Sequence, residues 1–69
     1  MIFLINHNEK HINYNVIENR LLKLAFVKKV DSNPNLKQIN IQGINLNKHY
    51  ILIKNTLFNI GYNVNAVTK

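Results

Sequence analysis

Apolar residues in this chain change their spacing several times, and each change marks an element that the fold must accommodate. Between positions 50 and 60 they recur at i, i+3, i+7 and i+10, as Tyr50, Ile53, Leu57 and Ile60, flanked by Ile51 and Phe58. That spacing predicts one face of an α-helix. Asn47 stands where an N-cap belongs, and Gly61 stands where a left-handed residue ends a helix. An earlier helical face runs through Ile17, Leu21, Leu24 and Ala25. Asn15 and Glu18 have the three-residue separation of a capping box in front of it.

Other segments carry strand signals. "MIFLIN" at 1–6 is apolar and β-favouring, and its near-continuous apolarity predicts a central strand. "HNEKHINYN" is polar and predicts a loop, although Ile12, Tyr14 and Val16 alternate as in a return strand. "AFVKKV" continues the first helix to Val30 or leaves it as strand near Ala25. "DSNPN" is a break, because Pro34 disfavours helix at Asn33 and its neighbours favour turns. In "LKQINIQGINL", Ile39 and Ile41 alternate with Gln38, Asn40 and Gln42, which predicts a half-buried strand. Gly43 marks a bulge or a turn there. "YNVNAV" alternates again and predicts a closing strand.

The expected order is strand, helix, strand, helix, strand. It makes one α+β domain over 1–69, with a three-stranded sheet and both helices packed on one of its faces. The other face or a sheet edge is then open to a partner. A chain of 69 residues buries roughly 60% of its unfolded surface, so its own core is small. There is no cysteine to add a disulfide or a thiolate metal site. The N-terminal apolar run is far shorter than the ~20 residues of a membrane span. It also lacks the basic flank and cleavage site of a signal peptide. These features predict an intracellular protein, of the cytoplasm or an organelle matrix.

The formal charge is +6, from nine Lys and Arg against three Asp and Glu. Such a balance points to an anionic partner. A/T-rich codons also supply Lys, Asn and Ile, and they explain why Arg20 is the only arginine. They explain the shortage of acids less well. Arg20, Lys23, Lys28, Lys29 and Lys37 cluster around the end of the first helix and the turn after it, with Lys10 in the first loop. These are the candidate nucleic-acid contacts. Lysine is a point charge on a flexible stem, suited to neutralising phosphates rather than reading bases. Lys28 and Lys29 would equally complement the dipole at a helix C-terminus. Among the tyrosines, Tyr50 belongs to the core, and Tyr14 is the best candidate to stack on a base.

Catalysis and metal binding lack a constellation. His7 and His11 are four apart, but no further Cys or carboxylate completes a ligand set. Two glycines make no phosphate cradle, and three scattered acids make no carboxylate pair. No enzyme, cofactor or metal is expected.

"IFLIN", then "ENRLLKLAFVKKV", then a second helix and a closing strand resemble the small protein family of the large ribosomal subunit usually numbered thirty. The likeness rests on the distance from the first strand to "LLKL", and on Leu21, Leu22 and Leu24 followed by Lys28 and Lys29. It implies the three-stranded element order and ribosomal RNA as partner, with contacts at Lys28, Lys29 and Lys10. The basic glycine-containing loop of that family is replaced here by "HNEKHINYN".

Two functions of different class follow. One is a non-catalytic basic module that binds structured nucleic acid, RNA above all, through phosphates and shape. The other is a protein-binding module, such as a phage-encoded inhibitor or assembly subunit, that offers its sheet face or edge to an acidic host protein. A homo-oligomer covering its own sheet is a third arrangement.

Overall fold

In a computed structural model of the chain, residues 1–6 and 12–68 are described. The elements are β1 (Ile2–Asn6), α1 (Tyr14–Leu22), β2 (Val27–Asn33), β3 (Gln38–Gly43), α2 (Tyr50–Phe58) and β4 (Asn63–Thr68). The sheet has four antiparallel strands in the order β2-β3-β1-β4. This is the split β-α-β arrangement of ferredoxin-like sheets. The expected three-stranded sheet is therefore corrected: the described residues form two helices, but one more strand. The three-stranded order implied by the ribosomal likeness is corrected with it.

The added strand comes from the segment 27–33. "AFVKKV" leaves the helix, which ends at Leu22, and β2 then runs on through Asp31, Ser32 and Asn33. Only Pro34 to Lys37 turn. The turn is closed by Leu36 N–H donating to the Asn33 carbonyl and Lys37 N–H to that of Pro34, both at 3.2 Å. Lys37 completes it in the left-handed region, with φ 53°.

β1 lies between β3 and β4, pairing Phe3 with Ile39 and Ala66, and Ile5 with Val64. Strand side chains alternate between faces. Phe3, Ile5, Ile39, Ile41 and Val64 therefore point to one face and are buried there. Ile17 and Leu21 of α1, with Ile53 and Leu57 of α2, close that face and are fully buried. Of the stripes expected for the helices, Ile17, Leu21, Ile53 and Leu57 are buried and Tyr50 half-buried, while Leu24, Ala25 and Ile60 lie beyond the helix ends and Ala25 is exposed. Tyr50 stacks on Phe3, with ring centroids 5.8 Å apart.

The caps differ in detail from the sequence expectation. Asn13, not Asn15, caps α1, its Oδ1 accepting from Val16 N–H at 3.1 Å. The Asn13 N–H in turn donates to the Tyr62 hydroxyl at 3.0 Å. Glu18 is not part of a capping box; it accepts from the Ser32 hydroxyl and ties α1 to β2. His49, not Asn47, precedes α2. Gly61 does end α2 with φ 96°, while Tyr62 N–H donates to the Leu57 carbonyl at 2.9 Å and Gly61 N–H to that of Phe58 at 3.0 Å. Those two bonds form a Schellman closure.

Candidate nucleic-acid interface

Chain direction decides which cations meet. α1 ends and β2 begins at one end of the sheet, where β3 also ends and α2 begins. Arg20 in the last turn of α1, Lys23 at its C-cap, and Lys28 and Lys29 at the start of β2 all belong to this end. All four are exposed. The loop 44–49 packs beside the loop 23–26: Ile44 N–H donates to the Phe26 carbonyl at 2.9 Å, and the Phe26 ring stacks on His49 at 3.9 Å. This contact brings Lys48 to the same end.

A bulge shapes the start of β2. The register moves from Val27–Gly43 to Lys29–Gln42, so Lys28 is the extra residue. A Cβ on Gly43 would stand 2.1 Å from the Phe26 carbonyl oxygen, so the strands can approach only at a glycine. Lys28 and Lys29 consequently sit in a kinked strand rather than in the last turn of a helix. The helix-dipole role considered for them is excluded by that placement. Lys29 Nζ lies 3.8 Å from Asp31 Oδ2, an exposed pair of little energetic weight. α2 begins here without an acid in its first turn or a side-chain cap, so its dipole adds to the positive field.

The remaining expected residues separate. Lys37 lies in the β2–β3 turn and Tyr14 at the start of α1, both at the opposite end of the sheet. Tyr14 is half-buried beside Tyr62, not presented for stacking. Burial, and then the neighbouring Tyr62, push its phenol above the usual value. Lys10, with His7 and His11, lies outside the described residues. Sequence reasoning missed Lys48, whose position depends on the Phe26–His49 stack; no local pattern signals it.

Among the described residues, no element packs on the sheet face away from the helices. Ile2 and Leu4 occupy its centre, framed by Gln38, Asn40 and Asn65 across the strands. By register it carries no aromatic ring among the described residues. Among those residues no three His, Asp or Glu gather as metal ligands, and no helix is long and apolar enough to cross a membrane. Compared with known protein families, curated proteins and solved structures, the chain matches none.

Proposed function

We propose that the chain is a non-catalytic basic module that binds structured RNA through phosphate contacts at the end carrying Arg20, Lys23, Lys28, Lys29 and Lys48. The observation that carries this reading is that these cations share one end, with Asp31 paired to Lys29. Their stems are exposed and their heads can follow a phosphate backbone without a fixed geometry. Among the described residues, the open sheet face has amides but no ring to stack a base, which favours backbone and shape over base reading.

The test is fluorescence anisotropy of a labelled RNA hairpin over a salt series. Neutralising about four or five phosphates predicts a slope of about −4 in log affinity against log salt. Absence of binding at low salt overturns the reading. A protein partner is the second reading, favoured by the half-buried Ile2 and Leu4 on the open face. A lysate partner that survives both nuclease and moderate salt would select it.

A further inference from the structure

Register sorts the strand residues into two faces. Asp31 stands opposite Asn40, and Asn40 opposite Ile2, in one row across β2, β3 and β1. The next row runs from Asn33 through Gln38 to Leu4. Ile39 and Ile41 of β3 are buried against the helices, so Gln38 and Asn40 point to the open face, and Asp31 and Asn33 with them. Together with Ile2 and Ser32 they line a concavity of about 340 Å³. Small-molecule pockets span roughly 300–1,000 Å³, so this one has room for a single flat ring rather than a length of chain.

The polar groups of this concavity are unengaged. The side-chain amides of Asn33, Gln38 and Asn40 make no hydrogen bond among the described residues. Of the described acids, Glu18 is on α1 and accepts from Ser32, so Asp31 is the one carboxylate on the open face. Lys29 Nζ stands 3.8 Å from Asp31 Oδ2, too far for a hydrogen bond.

We infer that the concavity takes one unpaired guanine base of the bound RNA, selected by Asp31; the inference rests on the RNA reading above. A carboxylate only accepts hydrogen bonds. Guanine presents two adjacent N–H donors, N1–H and N2–H, which match the two carboxylate oxygens as a bidentate pair. Its O6, next to N1–H, accepts from an amide such as Asn40, directly across from Asp31. Adenine and cytosine carry a ring-nitrogen acceptor beside the amino group, and uracil flanks its one N–H with two carbonyl oxygens. Each of these sets a lone pair against Asp31. Ile2 gives the ring face an apolar support. Lys29 lies on the same face two residues earlier in β2, roughly 7 Å away along the strand, in place for a neighbouring phosphate. Without aromatic rings a run of bases has no platform here. Phosphate contacts therefore supply most of the affinity, and the concavity reads one position.

Fluorescence anisotropy with two hairpins, identical except for a guanine or an adenine in the loop, tests this. The wild type should prefer the guanine loop by roughly 5–150-fold, the discrimination of a bidentate pair. Both hairpins should show the same salt slope, because the phosphates contacted are the same. Asp31→Asn alters an exposed side chain on an edge strand and should keep the wild-type circular dichroism. It should bind the adenine-loop hairpin more tightly, since the anion beside Lys29 is gone, and it should lose the guanine preference. The side-chain amide resonances of Gln38 and Asn40 should shift with the guanine loop and not with the adenine loop. Equal affinity of the wild type for both hairpins overturns this inference and leaves the phosphate reading standing. So does an Asp31→Asn variant that tightens both hairpins alike, which would make Asp31 a partner of Lys29 alone. Failure of both hairpins to bind at low salt overturns the phosphate reading, and this inference with it.

Discussion

The ring of Phe26 lies 3.9 Å from the imidazole of His49 and within 11° of parallel to it. This stack joins the loop that enters β2 to the residue that opens α2. It thereby helps keep Lys48 at the same end of the sheet as Lys28. An aromatic pair of this kind is worth about 0.5–1.5 kcal/mol beyond its buried area. His49→Ala should lower the melting temperature by several degrees, since ~1 kcal/mol shifts a domain of this size by about 4–8 °C. Phe26→Ala should cost more, because Phe26 also packs against the core. Thermal melts followed by circular dichroism measure both. Equal melting of wild type and His49→Ala would deny the stack any energetic role.

Gly43→Ala places a methyl group against the Phe26 carbonyl oxygen. The contact is with backbone, so no rotamer change relieves it. A loss of about 1–3 kcal/mol is expected, as for other overpacked sites. Urea titration should show a lower midpoint with an unchanged slope.

Lys28→Ala with Lys29→Ala should weaken RNA binding and reduce the salt slope by about 2, one for each lost phosphate contact. Lys37→Ala, at the far end of the sheet, should leave the slope unchanged. Anisotropy titrations at several salt concentrations separate the two. An equal effect from all three positions would mean that charge acts without a localized site.

Tyr14 gives the fold a dependence on alkaline pH. Burial and the nearby Tyr62 hold its phenol above the ordinary value of 10.0, so the folded state favours the neutral form. That contribution is complete below about pH 10 and is lost as the pH rises through the folded-state value. Stability should therefore fall above pH 10, and Tyr14→Phe should fall less steeply over the same range. Urea midpoints measured from pH 9 upward provide the comparison.

Both helices and the central strand were legible in the sequence, because Ile17, Leu21, Ile53 and Leu57 keep a strict helical period and "MIFLI" is continuously apolar. β2 was not. Lys28 sits in a bulge, so Val27 and Val30 face the core although they are three positions apart, and the two-residue period is lost. Asp31 and Asn33, turn-formers by composition, are tolerated because β2 is an edge strand with one face in solvent. The α1 cap was misplaced because Asn13 and Asn15 are chemically identical choices. The Tyr62 hydroxyl, 49 residues away, holds the Asn13 N–H and decides between them. The cationic end was half legible: Arg20, Lys23, Lys28 and Lys29 are close in sequence, whereas Lys48 arrives through tertiary packing.

The central place of β1 also orders events during synthesis. β1 emerges first, yet its partners are Ile39 in the middle of the chain and Val64 near its end. Only the β2–β3 hairpin pairs locally. It can form early, while "MIFLI" waits with both edges open. Contacts of such long range slow folding and prolong the exposure of an apolar strand. The first strand made is thus the last completed, and a chain cut short before Val64 would leave β1 as an apolar, unpaired edge.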